Sequence, residues 1–416
     1  MIDQTKLQIL TESAKFDVSC SSSGSHHKGK KNGVGNTAPA GVCHSFTPDG
    51  RCISLLKILL SNDCAYDCRY CGSRRSADVP RATATPEEIC ELVMEFYKRN
   101  YIEGLFLSSA VHVNPDYTME RLLEIAMRLR KLYNFHGYIH VKGIPHADQR
   151  LVERTARYAD RMSFNVELPS EKSLQLLAPQ KTKQAVITPM RLLSEQAEFE
   201  KSSKKSRFLP AGQTTQMIVG ASPETDGHIL RLTEGMYKKF SLKRVYFSSF
   251  VPVVKDALLP TAPTGLLREH RLYQADWLLR FYGFRSDEII DDNQNLDMEV
   301  DPKCAWALRN IALFPVEVNT APLDMLLRVP GIGLKSAAAI CTARKYHSLD
   351  YDALQRMRVV LKRARHFITA NGKFYGAEYP ERIHAALSDK GECQGLEQLS
   401  LFSLPEIAES ARTGQV

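Results

Sequence analysis

No stretch of this 416-residue chain holds about eighteen consecutive apolar residues, and no apolar segment follows its opening Met-Ile-Asp-Gln-Thr-Lys. Neither a membrane span nor a secretory leader is therefore expected. The ten cysteines are irregularly spaced and lack the density of a secreted disulfide framework, so a reducing, cytoplasmic setting is expected. From Ser21 to Gly35 there is almost nothing to bury, only Ser, Gly, Lys and His with few exceptions, and the composition predicts a mobile loop. The rest is ordinary for a globular protein, 44% hydrophobic and 25% charged. That length and composition suit roughly two to three domains. The net charge of +8 permits an anionic partner without requiring one.

The densest chemistry lies in Cys64-Ala-Tyr-Asp-Cys68-Arg-Tyr-Cys71. It follows the apolar run Ile53 to Leu60, which reads as a buried strand closed by Ser-Asn-Asp. Parallel α/β folds place their chemistry at such strand ends. Three thiolates within eight residues suit an iron-sulfur cluster better than a structural zinc, which takes four closed ligands. Free or zinc-binding thiols are the alternative. Cys20, Cys43 and Cys52 flank the Ser/Gly/Lys loop and are candidates for a second metal site with His44, or else are three unconnected thiols.

Beyond the cysteines, strands and helices alternate. Thr85-Pro86-Glu87-Glu88 carries the N-cap, first-turn proline and capping-box glutamate of a helix reaching about Arg99. Strands are expected at Ile102 to Leu107, Gly137 to Lys142, Arg161 to Glu167, Gln216 to Val219 and Arg244 to Phe250, with helices ending near Leu132 and Tyr158. Such alternation predicts parallel βαβ units. The connection Pro169 to Ala211 carries Lys181, Lys183, Lys201, Lys204, Lys205 and Arg207 and reads as a solvated basic surface or as a guide for a phosphate backbone. Leu266 to Phe284 reads as an amphipathic helix with Trp277, Leu278 and Phe281 turned to the core.

The C-x3-C-x2-C spacing, with Tyr70 before the last cysteine, resembles the signature of the radical S-adenosylmethionine superfamily. The resemblance implies a partial (β/α)6 barrel of the TIM type. It also implies a [4Fe-4S] cluster on Cys64, Cys68 and Cys71, and S-adenosylmethionine cleaved by one electron to a 5'-deoxyadenosyl radical. An electron donor such as flavodoxin or ferredoxin would then be needed. The same likeness carries cofactor contacts onto Tyr70, Ser108 and Ser109, Asn165 and Glu167, and Gln216, Ile218 and Gly220 with Glu224. Ser108-Ser109-Ala110 stands where the superfamily usually has a Gly-Gly-Glu-like segment.

Farther along, Ala321 to Leu327, the turn Val329-Pro330-Gly331-Ile332-Gly333 and Leu334 to Arg344 resemble a helix-hairpin-helix, whose backbone amides bind phosphate. Gly331, Gly333, Lys335 and Ser336 are the expected DNA contacts. From Phe314 to Ala370, nine Lys or Arg stand against four Asp or Glu, and Leu354 to Ile368 reads as a degenerate partner hairpin. Gln398-Leu399-Ser400-Leu401-Phe402 resembles the pentapeptide that docks into the sliding clamp, with Gln398, Leu401 and Phe402 as its anchors.

The order of these blocks is similar to that of the putative DNA modification or repair radical S-adenosylmethionine proteins, whose genes often neighbour a uracil-DNA-glycosylase-like partner. The expected organisation is an N-terminal segment (1–45), a barrel (46–262), a helical connector (263–313), an all-α hairpin module (314–370) and a tail (371–416). The expected function is radical chemistry in DNA modification or repair. A cluster-bearing DNA-binding subunit without catalysis, or an enzyme of the same class acting on a peptide or small metabolite, are the alternatives.

Overall fold

A computed structural model of the chain describes residues 2–14, 42–46, 52–201, 208–377 and 379–388, of which 42–46, 52 and 201 are described by their backbone alone. The Ser21 to Gly35 loop, Cys20, the side chains of Cys43 and Cys52, and the pentapeptide with Gln398, Leu401 and Phe402 lie outside the described residues.

The chain divides into two units, the first comprising 1–223, 235–264 and 402–416, the second 224–234 and 265–401. The first unit contains α1 (Gln4–Ser13), β1 (Val42–Phe46), β2 (Cys52–Leu59), α2 (Pro86–Lys98), β3 (Gly104–Ser108), α3 (Pro115–Lys131), β4 (Tyr138–Lys142) and α4 (Gln149–Ala156). It continues through β5 (Arg161–Ser163), α5 (Glu171–Leu177), α6 (Lys183–Lys201), β6 (Gln213–Val219), the later part of α7 (Asp226–Phe240) and β7 (Arg244–Ser249). The seven strands form one sheet in chain order. β2 to β7 are parallel, as the alternating pattern predicts, and β1 pairs antiparallel with β2. Its six parallel strands and flanking helices make the half-barrel of an α/β fold.

Local chemistry sets these boundaries. Thr85 and Glu88 close the capping box of α2, and Lys6 ties α1 to it through Glu88 at 3.0 Å. β3 is buried along its whole length. Removing Leu105 and Leu107 from water contributes about 2 kcal/mol each. Arg130 holds the entry to β4, donating to the Phe135 and Gly137 carbonyls at 2.7 Å while pairing with Asp160.

Three expectations need correction. The Pro169 to Ala211 connection is not one solvated loop, since it contains α5 and the nineteen residues of α6. The fifth strand stops at Ser163 rather than reaching Glu167. Trp277 and Phe281 are 50% and 44% exposed, because α8 buries Leu272, Ala275 and Leu278 instead. The two rings touch one another at 4.4 Å, beneath the Arg280 guanidinium.

The second unit holds α8 (Leu266–Phe281), α9 (Ser286–Ile289), α10 (Pro302–Arg309), β8 (Val316–Glu317), α11 (Leu323–Arg328), α12 (Leu334–Ala343), α13 (Tyr351–Arg356), α14 (Leu361–Ala364), β9 (Ile368–Thr369) and α15 (Pro380–Leu387). Gly331, at φ +87, makes the turn between α11 and α12, and a Cβ there would stand 2.6 Å from the Val360 carbonyl oxygen. The Val360 amide in turn donates to the Gly331 carbonyl at 3.0 Å, joining the two helix-turn-helix pairs at their turns.

Behind the first turn, the buried Lys303 Nζ donates to the Ile332 carbonyl at 2.6 Å. Burial pulls its ammonium down to about 7. The unfolded chain therefore binds more protons than the folded one between that value and the ordinary lysine range, so stability rises with pH there. The stability of this unit should gain at most about 1.4 kcal/mol per pH unit from pH 7 to 9, and Lys303→Met should remove that slope.

Candidate active site

The cysteine loop leaves β2 beside the end of β3. Leu60 N–H donates to Ser108 O at 2.8 Å and Ala65 N–H to Val111 O at 2.7 Å, so the end of β3 and the residues after it hold the loop on both sides of its first cysteine. Its middle is fixed by Arg69 N–H to Leu177 O at 2.8 Å and Asp67 N–H to Gln180 Oε1 at 3.4 Å. Asp256, after β7, takes both Arg69 and Arg74, at 3.0 and 3.3 Å. The loop is thus held at several points across the barrel mouth.

Cys64, Cys68 and Cys71 are free thiols. Among the described residues, no three His, Cys, Asp or Glu side chains converge as ligands of a single metal ion. A cubane cluster asks for something else, three thiolates spread to separate iron atoms from one short loop. Cys68 is 6% exposed and packs with Leu168, Leu174, Leu177, Ala221 and Phe250, with Tyr66, Tyr70, Cys71 and Ile218 at the edge of the same apolar group. Burial pushes the Cys71 thiol up to about 12, assisted by the neighbouring Cys68, and raises Cys68 as well. Without iron the pocket favours neutral thiols, and binding iron as thiolates entails release of those protons.

The structure brings some of the expected cofactor residues together. Ile218 packs against the cysteine loop, as stated above. Asn165 Nδ2 donates to Gln216 Oε1 at 3.3 Å. The Ser108 and Ser109 hydroxyl oxygens are buried with no hydrogen-bond partner among the described residues. Two unsatisfied hydroxyls beside the cysteine loop fit a polar ligand such as the amino group of S-adenosylmethionine. Gly220, at φ +85, has a reason of its own, since a Cβ would collide with the Thr264 side chain.

Glu167 departs from expectation. After β5 ends, its backbone rejoins β6, accepting from Ile218 N–H at 2.7 Å and donating to Gln216 O at 3.1 Å, at a φ of +65. A non-glycine residue in that conformation is held there by its surroundings. Its carboxylate is paired with Lys181 at 2.9 Å, with both side chains nearly buried. Burial alone would lower the Lys181 ammonium, but the Glu167 carboxylate overrides it, with help from Tyr70 and Cys68, and holds it well above the usual lysine value. Lys181 is therefore an interior cation facing the cysteine loop, although in sequence it belongs to a run that reads as solvated. Asp63 and His112, 3.3 Å apart at the same strand ends, likewise gave no signal in the sequence.

The half-barrel thus carries a thiol-bearing loop, hydroxyls without a described partner and an interior ion pair at its strand ends, where α/β folds bind their ligands. Residues 58–234 match the sequence model of the radical SAM superfamily. The chain carries a radical SAM domain and is a radical SAM enzyme, with a [4Fe-4S] cluster and S-adenosylmethionine as the implied cofactors. Cys64, Cys68 and Cys71 would hold the cluster, and Ser108 and Ser109 the cofactor's amino group. Bound there, the pair supplies reductive cleavage of S-adenosylmethionine.

Among solved structures the chain is similar to HydG, a maturase of the [FeFe]-hydrogenase, at 12% identity over 85% of this chain and 80% of that one, with a TM-score of 0.40. It is similar to methylornithine synthase (PylB) at 15% identity over 65% and 67%, with a TM-score of 0.39. The corresponding values for a radical SAM methyltransferase from Sphaerobacter thermophilus are 14%, 61%, 76% and 0.38. At such scores nothing about the reaction follows from them. No curated protein matches the chain. No helix among the described residues is long and apolar enough to cross a membrane.

Proposed function

We propose that this radical SAM enzyme acts on DNA, in modification or repair, and that its second unit holds the nucleic-acid backbone through a helix-hairpin-helix. The observation that carries the reading is the α11–α12 turn. Gly333 caps α12 without a side-chain hydrogen bond to the helix amides, which suits them to a phosphate. Lys335 is exposed on the first turn of α12, and Arg356, Arg358, Lys362 and Arg365 are exposed around the second turn. These cations give the unit a surface suited to a polyanion. Ser336 takes another part. Its hydroxyl faces inward and donates to the Met357 and Arg358 carbonyls at 3.0 and 3.3 Å, bracing the two hairpins.

The same reading keeps the clamp-binding pentapeptide, a glycosylase-like partner and a flavodoxin or ferredoxin as expected partners. Its test is reductant-dependent cleavage of S-adenosylmethionine measured with and without duplex DNA carrying damaged bases. Formation of 5'-deoxyadenosine should rise at least about tenfold with the right duplex, as expected when substrate binding completes the site. Equal rates with every duplex and with none would leave a peptide or small metabolite as substrate.

A further inference from the structure

α8 buries Leu272, Ala275, Asp276 and Leu278, and its opposite face carries Leu266, His270, Trp277 and Phe281, all exposed. Trp277 and Phe281 stand one turn apart, which is why their rings touch. The Arg280 guanidinium lies 4.7 Å from the Phe281 ring centroid and 5.7 Å from that of Trp277. It is fixed there by its pair with the fully buried Asp276 at 2.8 Å. The two rings and the guanidinium therefore form one held, flat-sided group on the outside of the second unit.

The end of α8 lies beside the hairpin turn. Tyr282 follows Phe281 directly, and a Cβ on Gly333, the N-cap of α12, would stand 3.6 Å from the Tyr282 hydroxyl oxygen. The Tyr282 ring also takes the Lys303 ammonium at 4.7 Å, the same ammonium that donates to the Ile332 carbonyl. Tyr282 thus separates the exposed rings from the α12 amides that are read above as a phosphate site.

The size and setting of the ring pair select its occupant. Two rings able to bury roughly 200 Å² each fall short of the roughly 800 Å² per side of a stable protein interface. Leu266, the other exposed large apolar residue of α8, stands three turns away. A nucleobase matches the pair, because bases stack on aromatic faces and on guanidinium planes. A base inside an intact duplex has both faces covered by its neighbours, so the partner is a base out of the stack.

We propose that Trp277 and Phe281 form a stacking platform for an unpaired base of the DNA strand whose phosphate α12 holds. This rests on the nucleic-acid reading above and narrows it to DNA with a single-stranded or unpaired position. Chemistry on a base requires such a position, since a base within the stack is out of reach of an active site.

The probes are an oligothymidylate of about twenty nucleotides, longer than the site of a typical single-strand binding fold, and the paired duplex it forms with oligodeoxyadenylate. Affinities are to be measured by fluorescence anisotropy on the cluster-loaded enzyme. Trp277→Ala and Phe281→Ala should each weaken the single strand about tenfold and leave the duplex unchanged, while Trp277→Phe should stay within about threefold of the parent. Lys335→Ala should weaken both forms. Tryptophan emission gives a second readout, because the chain has two tryptophans and Trp306 is only 5% exposed. The single strand should quench the parent's emission and leave that of Trp277→Phe nearly unchanged. Parental single-strand affinity in both alanine variants, equal losses for single strand and duplex, or unquenched emission in the parent would each overturn the platform. If the duplex binds and responds to Lys335→Ala while the ring variants change nothing, the platform fails and the DNA reading stands. If neither probe binds the parent, the DNA reading fails and the platform with it.

Discussion

Replacing Cys64, Cys68 and Cys71 together by alanine should abolish iron and sulfide binding after anaerobic reconstitution, against about four of each per chain in the parent. The fold should survive. The loop is held by backbone bonds to Val111 and Leu177 and by the Arg69 and Arg74 pairs with Asp256, none of which involves a thiol. Cys68 is the least exposed residue of the three, and a Cys→Ala change there removes little volume. Retention of parental iron and sulfide in the triple variant would refute the cluster assignment. Unfolding of the variant would instead mean that the thiols themselves hold the loop.

The second large effect belongs to the hairpin turn. Gly331→Val sets a β-branched residue at φ +87 with its Cβ against the Val360 carbonyl and the Ala364 amide. Destabilisation of the second unit by about 3 kcal/mol is expected, with loss of duplex binding. Lys335→Ala separates binding from folding, because its side chain is exposed. It should weaken binding to all sequences alike and reduce the log-log salt slope by about one, one fewer counterion being released. Both variants are to be titrated with duplex at several salt concentrations. Parental affinity and slope in Lys335→Ala, with parental binding in Gly331→Val, would make the hairpins a packing module.

Much of the barrel was legible because parallel strands announce themselves as short apolar runs between capped helices. Thr85, Asn114 and Asp148 all cap the helices that follow them. The cysteine loop was legible for the same reason, standing directly after such a run. α6 was hidden by its lysines and by Pro189 inside it, although Val186, Met190 and Leu193 form a buried stripe at helical spacing. Glu167 was misread as strand because its positive φ depends on β6, which lies about fifty residues farther along. Lys181 was unreadable for a related reason. Nothing local distinguishes it from its solvated neighbours, and only the fold brings it to Glu167.

The central claim is that the three cysteines and the ends of the strands form one site, a cluster with S-adenosylmethionine beside it. Electron paramagnetic resonance of the dithionite-reduced, reconstituted protein tests this most directly, recorded before and after addition of S-adenosylmethionine. A [4Fe-4S]+ signal whose g-values and line shape change on addition is expected, with the change diminished when Ser108 and Ser109 are both replaced by valine. A cluster signal that S-adenosylmethionine leaves unaltered at saturating concentration would contradict it.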